Sequence, residues 1–140
     1  MTMGISMILL IDDGIASMQP YRDALAIRGH DVRQVEDPAE ALEYLDDEER
    51  RTDVQIILLD IMMPPCDYSV SETRNGVKTG TFLFHDIRAR CPDTPVIVLT
   101  NVVDEDILAA LDGRPNCQIA NKMDTLPFAL AAAIDSVLAG

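Results

Sequence analysis

The sequence has no tryptophan, and few of its residues are aromatic or basic. Its 11 lysine and arginine residues stand against 24 aspartate and glutamate residues, which gives a formal net charge of −13. Proteins that bind DNA or RNA need a cationic surface, so this charge argues against a nucleic-acid partner. The acidic excess instead suits basic partners, or a cluster of carboxylates that binds a cation.

Cysteine is also scarce. The three cysteines, Cys66, Cys91 and Cys117, are widely spaced and include no Cys-x-x-Cys pair. An odd number without paired spacing argues against both a disulfide framework and a zinc site. We therefore expect ordinary packing or surface thiols at these positions.

Long apolar runs are absent as well, since none approaches the roughly 20 residues that a helix needs to span a bilayer. Residues Met1–Ser6 contain no basic residue, which a signal peptide would have, and they lead directly into an apolar stretch. We therefore expect a cytoplasmic protein with no membrane partner. A length of 140 residues suits a single domain, which is predicted to occupy residues 1–140.

Five short apolar runs predict five parallel strands, because turn-forming residues bound each run and the central runs contain no polar position. Segments with helical spacing of apolar residues follow the runs, giving the order βαβαβαβαβα. Connections of this length predict right-handed crossovers and one doubly wound α/β domain. The predicted strands are 7–11, 31–35 (the least apolar, as at a sheet edge), 56–59, 95–99 and 117–120.

Capping residues predict where the first two helices begin and end. Ser17 suits the N-cap of the first helix, and Gly29 suits its end. The segment 37–40, Asp-Pro-Ala-Glu, combines a cap, an early proline and an acid three residues on, which is typical of a helix start. We expect residues 46–51 to form the charged, solvated end of this second helix.

The final helix, predicted over 126–138, is apolar on two faces. One set recurs at helical spacing and is predicted to face the core, and a second set of small residues lies opposite. The second set suggests a partner surface, such as a homodimer through this helix, although the helix propensity of alanine explains it equally well. The core-facing set is Leu126, Leu130, Ile134 and Leu138, and the small set is Ala131, Ala132 and Ala139.

Polar residues follow four of the predicted strands. Asp12 and Asp13 follow the first, Asp60 the third, Thr100 the fourth and Lys122 the fifth. Because the carboxyl ends of parallel strands meet at one edge of the sheet, we expect these side chains to share a crevice. Three carboxylates placed together repel one another, and a divalent cation relieves this repulsion. Oxygen ligands of this kind suit Mg²⁺.

The other two residues suit a phosphoryl group. Lys122 supplies a fixed positive charge and Thr100 a hydroxyl donor, which would stabilise the charge that spreads over the oxygens during phosphoryl transfer. A carboxylate such as Asp60 can itself be the nucleophile and become an aspartyl phosphate. The set therefore predicts phosphoryl transfer to an aspartate.

With these residues the sequence resembles a response-regulator receiver domain of two-component signalling. The resemblance extends from about Met7 to Leu138, and it implies a flavodoxin-like sheet with strand order 2-1-3-4-5. It also implies a stand-alone receiver with no output domain in this chain, a regulatory phosphoacceptor that assists only its own phosphorylation and dephosphorylation and is not an enzyme. The motifs that carry it are Asp12-Asp13, Asp60 with Pro64 four residues later, Thr100 and Lys122.

The resemblance implies a role for each of these residues. Asp60 would accept the phosphoryl group from a phosphohistidine, on a histidine kinase or a histidine phosphotransfer protein, in a Mg²⁺-dependent reaction. Thr100 would hydrogen-bond the bound phosphoryl group and move as the switch toward an unidentified downstream protein. Lys122 would pair with Asp60 and then with a phosphoryl oxygen. The implied Mg²⁺ ligands are Asp13, Asp60 and the backbone carbonyl of Met62, with Asp12 assisting through water.

The sequence departs from the family pattern at three places. Met123 stands where the family usually has proline after the lysine, and Ile119 stands where it usually has an aromatic residue. Gly80 follows Pro64 by sixteen residues, which predicts an insertion from about Cys66 to Thr79. We expect this insertion to lie along the rim of the phosphorylation crevice as a lid.

Three other functions are compatible with parts of this pattern. A receiver-like protein-interaction module that is never phosphorylated stays open, because the fifth-strand region is altered. A haloacid-dehalogenase-type phosphatase needs a second aspartate two residues after the nucleophile, where Gly14 and Met62 stand instead. A flavodoxin-like FMN site needs a phosphate loop after the first strand, where Asp12 and Asp13 would repel the phosphate.

Overall fold

The computed structural model describes residues 7–140, which form a five-stranded sheet of parallel strands in the order β2-β1-β3-β4-β5. This arrangement confirms the predicted fold, and it places the least apolar strand at an edge. The strands are β1 Met7–Ile11, β2 Asp31–Val35, β3 Val54–Leu59, β4 Val96–Thr100 and β5 Cys117–Asn121.

Helices lie on both faces of this sheet. Gly29, with φ of +87°, follows the first helix as predicted. The Asp37 side chain caps the second helix by accepting a hydrogen bond of 2.8 Å from the Glu40 backbone N–H. The helices are α1 Gln19–Ile27, α2 Pro38–Asp46, α3 Glu48–Asp53, α4 Thr79–Arg90, α5 Glu105–Ala109 and α6 Pro127–Ala139.

The core consists of two clusters, one on each face of the sheet. Successive residues of β3 alternate between them, so that Ile56 and Leu58 join one cluster while Ile57 and Leu59 join the other. All four side chains are fully buried. Burying an aliphatic side chain of this size stabilises a fold by about 1.5–3 kcal/mol, so the strand that precedes Asp60 is firmly held.

Two helix boundaries differ from the sequence prediction. Ser17 does not cap α1, because its hydroxyl donates to the Gly14 carbonyl and Met18 occupies the N-cap position. The segment 46–51 is not one helix end either: the extended backbone of Asp47 breaks it, and the Asp47 side chain caps the separate helix α3 through the Arg50 N–H. A side chain that caps a new helix competes with continuation of the old one.

The faces of α6 also differ from prediction. Leu126 precedes the helix and is exposed, so it is not a core residue. Ala131, predicted on the outer face, is fully buried beside Leu130 and Ile134. The reason is that α6 packs against α1 as well as the sheet, and a small residue allows the two helices to approach closely.

The register of the strands brings their carboxyl ends side by side. Ile11 pairs with Leu59, Leu59 with Val98, and Thr100 with Asn121. The residues that follow these positions therefore meet at one edge of the sheet, as parallel topology requires.

Within residues 7–140 there is no helix long and apolar enough to cross a membrane. Residues Met1–Ser6, on which the expectation about a signal peptide depended, lie outside the described residues.

Candidate functional site

Three carboxylates converge at the carboxyl edge of the sheet. Asp12 and Asp60 follow β1 and β3 and are only 2% and 7% exposed, while Asp13 reaches solvent. Each offers an oxygen within 4.8 Å of the others. They line a cavity of about 210 Å³, together with Met62, Thr100 and Lys122 and with Gly14, Ser17, Asn101 and Val102.

Lys122 joins the two buried carboxylates from the end of β5. Its Nζ lies 2.7 Å from Asp12 Oδ2 and 3.1 Å from Asp60 Oδ2. Its side chain is only 15% exposed, and its backbone N–H donates to the Thr100 carbonyl at 3.0 Å. The lysine therefore bridges both acids, whereas the family pattern implied Asp60 as its partner.

The pKa of Asp60 reflects its burial and the charges of Asp12 and Lys122 beside it. Burial raises the pKa of the Asp60 carboxyl, and the Asp12 charge raises it further, while Lys122 and a hydrogen bond from Thr100 oppose the rise. Burial by itself would lower the pKa of Lys122, but its hydrogen bond to Asp12 and the charge of Asp60 outweigh that effect and raise it. The ammonium group stays charged, and it offsets one of the two buried negative charges.

The backbone around Asp60 is fixed on several sides. Its N–H donates to the Ile11 carbonyl at 2.9 Å, and its own Oδ1 accepts from the Ile61 N–H at 2.8 Å. Gly80, in the first turn of α4, lies directly against this strand end, where a Cβ atom would be 2.4 Å from the Asp60 carbonyl oxygen. The absence of a side chain at Gly80 thus permits α4 to pack onto the residue that carries the carboxylate.

Thr100 is the last residue of β4 and is buried. Its hydroxyl oxygen accepts a hydrogen bond of 3.2 Å from the Val102 N–H and hydrogen-bonds to Asp60. Because an accepted bond leaves the hydroxyl hydrogen available, Thr100 can donate to the carboxylate. The hydroxyl therefore joins the loop after β4 to the site.

Asp12 is held by the loop that follows β1 and by β2. Its Oδ1 accepts from the Gly14 N–H at 2.8 Å, and its carbonyl accepts from Gln34 Nε2 at 2.8 Å. Arg22 in turn hydrogen-bonds to the Gln34 side chain. These contacts hold the Asp12 backbone and side chain without using the oxygen that faces Lys122.

The loop 122–126, which joins β5 to α6, carries Lys122 into the site. The Met123 N–H donates to Asn121 Oδ1 at 2.7 Å, a bond that a proline at this position would lack. The Tyr21 hydroxyl of α1 lies 2.7 Å from the Thr125 carbonyl oxygen and 3.3 Å from that of Lys122. Burial raises the pKa of Tyr21, so its phenol keeps its hydrogen and acts as a donor.

The donor set fits a hard divalent cation. Three carboxylates within reach of one another, two of them buried, create a negative charge that a cation would neutralise. Met62 lines the same cavity. Carboxylate and carbonyl oxygens with space for water are the ligands that Mg²⁺ takes in proteins.

The segment 66–78 does not line the cavity, contrary to the lid expectation. It folds onto α4 instead, where Tyr68 hydrogen-bonds to Asp86 and packs beside Phe82. The Met63 N–H donates to the Gly76 carbonyl at 3.1 Å, which returns the segment to the strand end. Packing on the helix buries the apolar and aromatic residues of this segment, whereas a position over the polar crevice would not. The interpretation of the segment as an insertion stays a prediction.

The structure brings together every site residue that the sequence predicted, namely Asp12, Asp13, Asp60, Met62, Thr100 and Lys122. Sequence reasoning missed the supporting residues Tyr21 and Gln34, and it noted Gly80 only for its spacing from Pro64 and not for its close approach to Asp60. Only Gly80 had a usable signal, because a glycine in the first turn of a helix is unfavourable unless the backbone must approach another segment closely.

Comparisons with known proteins agree with this geometry. A family model described as the response regulator receiver domain matches residues 8–122. No curated protein matches the chain in sequence. Three similar solved structures illustrate the fold, and at these identities they show the fold alone.

The first is a CheY-like response regulator receiver domain protein from Methanospirillum hungatei JF-1, with 20% identity, a TM-score of 0.75 and coverage of 96% of this chain and 94% of that one. The second is the BeF3-activated DrrB receiver domain, with 23% identity, a TM-score of 0.71 and coverage of 97% and 99%. The third is the chemotaxis response regulator CheY4 of Vibrio cholerae, with 20% identity, a TM-score of 0.71 and coverage of 95% and 98%.

Proposed function

The chain belongs to the response regulator receiver domain family, and on that premise we propose that it is a signalling switch controlled by phosphorylation of Asp60. Receiver domains of two-component systems are regulatory phosphoacceptors, in which the attached group alters contacts with other proteins. The observation that carries the assignment is the buried Asp60 carboxylate, 3.1 Å from the Lys122 ammonium in a cavity lined by two further acids.

The proposed step is a transfer between nitrogen and oxygen. An Asp60 carboxylate oxygen attacks the phosphorus of a phosphohistidine, the new O–P bond forms, and the N–P bond breaks with its electron pair returning to the imidazole. Lys122 neutralises charge on the phosphoryl oxygens, and Thr100 donates a hydrogen bond to one of them. Fixed donors of this kind stabilise the transition state because they need no reorganisation.

We propose Mg²⁺ as the cofactor of this step. Asp13 and Asp60, with the Met62 carbonyl, would hold the ion, and Asp12 would assist through a water molecule. The bound ion would neutralise the phosphoryl oxygens during transfer. The three acidic oxygens within 4.8 Å support this assignment, because they repel one another without a cation.

A phosphohistidine on a histidine kinase or phosphotransfer protein is the proposed donor. Large apolar side chains that are exposed at the cavity, or next in sequence to residues that line it, support a protein partner, since exposed apolar surface marks interaction sites. They stand beside acidic groups, so the partner must also tolerate or complement negative charge. Met62 lines the cavity, and Ile15, Val103 and Met123 each follow a lining residue in sequence. We place this exchange in the cytoplasm.

The test of this proposal is the intact mass of the chain before and after incubation with acetyl phosphate and Mg²⁺. The parent should gain roughly 80 Da per phosphoryl group, and omission of Mg²⁺ should remove the gain. Asp60→Asn should keep the circular dichroism of the parent and gain nothing. Labelling that persists in Asp60→Asn would refute the choice of residue.

The second candidate function is a receiver-like interaction module that is never phosphorylated. Ile119, half-buried and packed against the core, favours it in one respect, because an aliphatic residue here cannot act as an aromatic switch. A parent chain that binds Mg²⁺ but takes no phosphoryl group from acetyl phosphate or a kinase would support this module.

A homodimer through α6 is also proposed, and sedimentation with and without beryllofluoride tests it.

A further inference from the structure

Tyr21 of α1 hydrogen-bonds to the loop 122–126, which lies more than 100 residues later in the sequence. Its ring packs against the core cluster that contains Leu10 and Leu25, so the direction of its hydroxyl is fixed by packing. The hydroxyl oxygen lies 2.7 Å from the Thr125 carbonyl oxygen and 3.3 Å from the Lys122 carbonyl oxygen. Its one hydrogen therefore donates chiefly to Thr125 and is shared with Lys122.

The loop depends on such bonds because its side chains contribute little packing. Met123 is 84% exposed, and Leu126 is exposed as well. Two further hydrogen bonds, from the Met123 N–H and the Asp124 N–H, end on Asn121 and are local to the loop. Such bonds shape the turn but do not fix it relative to α1 or the acidic residues.

Lys122 is sensitive to the position of this loop. Its backbone N–H donates to the Thr100 carbonyl, and its own carbonyl accepts from Tyr21, so its peptide backbone is held from two elements. From there the flexible side chain must reach Asp12 at 2.7 Å and Asp60 at 3.1 Å. A small displacement of the backbone would change both distances, and misplacement of a catalytic group by about 1 Å can slow a reaction about 100-fold.

We propose that Tyr21 is a positioning residue for Lys122 in phosphoryl transfer: its hydroxyl holds the loop 122–126 so that the lysine ammonium faces Asp12 and Asp60. The proposal rests on the phosphoacceptor function proposed above. Tyr21 does not touch the phosphoryl group in this mechanism, and it acts only through the loop.

The first experiment uses Tyr21→Phe, which keeps the packed ring and removes the hydroxyl. Labelling by acetyl phosphate is followed by intact mass over a range of donor and Mg²⁺ concentrations. The maximal rate should fall between about twofold and tenfold, the range expected for one lost hydrogen bond. The Mg²⁺ concentration that gives half of the maximal rate should not rise, because a displaced Lys122 ammonium group repels the cation less.

The matched control is Tyr68→Phe. The Tyr68 hydroxyl also makes a side-chain hydrogen bond, to Asp86 on α4, but Tyr68 does not line the cavity. This variant should label at the parent rate with acetyl phosphate. It therefore separates loss of a hydrogen bond in general from loss of the bond that holds the loop.

The decisive measurement is a double-mutant cycle with Lys122→Met. If Tyr21 acts only through the lysine, Tyr21→Phe should cause no additional loss of rate in the Lys122→Met background. The proposal would be overturned if Tyr21→Phe lowered the rate by the same factor in the Lys122→Met background as in the parent. A maximal rate equal to that of the parent in Tyr21→Phe alone would also overturn it. Backbone amide shifts of Tyr21→Phe give a second readout: they should change in residues 122–125, and unchanged shifts would also overturn it.

Failure of the proposed function gives a different result. In that case the parent itself gains no phosphoryl mass, while the amide shifts of residues 122–125 still report whether the hydroxyl holds the loop. When the parent is labelled and Tyr21→Phe is labelled equally fast, only the positioning role is refuted.

Discussion

Replacing Gly80 with alanine tests whether the close packing of α4 against the end of β3 determines both stability and reactivity. A Cβ atom at Gly80 would lie 2.4 Å from the Asp60 carbonyl oxygen and 2.5 Å from the Ile61 Cα atom. Carbon atoms in contact are normally about 3.5–4.0 Å apart, so α4 and the strand end must separate by about 1 Å. The displaced backbone is the one that carries the Asp60 carboxylate.

The expected loss of stability is the difference between two effects. Forced overpacking costs about 1–3 kcal/mol, and contact with backbone rather than a flexible side chain places this site at the upper end. Alanine is favoured over glycine within a helix by about 1 kcal/mol. The net loss of unfolding free energy is therefore about 2 kcal/mol, or about 6 °C in the melting temperature.

The same displacement should slow phosphorylation. The Gly80 N–H donates to the Ile61 carbonyl at 2.7 Å, so a shift of α4 also moves the turn after Asp60. Misplacement of a reacting group on this scale costs up to about 100-fold in rate. The assays are thermal unfolding by circular dichroism and labelling by acetyl phosphate with Mg²⁺, measured well below the melting temperature.

Gly113→Ala is the matched control. Gly113 has φ of +76°, and beyond its own chain neighbours no atom of the described residues lies within 4 Å of the position that a Cβ would take, so alanine there meets backbone strain but no clash. Strain of this kind costs about 1–2 kcal/mol, and the labelling rate should equal that of the parent. A Gly80→Ala chain that unfolds and labels like the parent would show that the close approach of α4 is unimportant.

Three further outcomes are expected. Asp60→Asn should stabilise the chain at pH 7, because the raised pKa of the folded carboxyl means that its buried charge opposes folding above that pKa. The advantage should shrink as the pH falls through that pKa toward the ordinary value of 3.8, and chemical denaturation at several pH values measures it. Asp13→Ala should weaken Mg²⁺ binding in calorimetry by at least about tenfold, the lower end of the effect of an outer-shell change. Unchanged affinity would remove Asp13 from the ligand set. Replacing residues 67–78 with a short glycine-containing turn should change either the rate of phosphotransfer from the cognate kinase or the lifetime of the phosphoryl group. Labelling by acetyl phosphate should persist in this variant. A transfer rate and a dephosphorylation half-life equal to those of the parent would show that the segment has no role in either process.

The fold and the central site were predictable because both depend on strongly repeated local signals. Runs such as Ile56–Leu59 can only be buried on both faces, and parallel topology requires their carboxyl ends to meet. Asp60 and Lys122 therefore come together whatever the details of the loops. The capping pattern at Asp37 was equally readable, because its hydrogen bond to Glu40 spans only three residues.

Other features were decided by competition between neighbouring segments. Ser17 has the chemistry of a cap but bonds to the Gly14 carbonyl instead, and Asp47 starts a new helix where one continuous helix was expected. Ala131 is buried because α6 packs on α1 as well as on the sheet, and Leu126 is exposed because it precedes the helix. Helical spacing alone does not distinguish two apolar faces.

By itself the sequence determined which residues stand at the strand ends, and hence the acids, the hydroxyl and the lysine of the site. Only the tertiary structure decided how they pair and what holds them: Lys122 bridges Asp12 and Asp60, and Tyr21 bonds to a loop more than 100 residues away. The physical reason is one of range. Strand and helix patterns arise from neighbours in sequence, whereas a hydrogen bond between distant residues leaves no periodic trace and exists only once the core has fixed both partners.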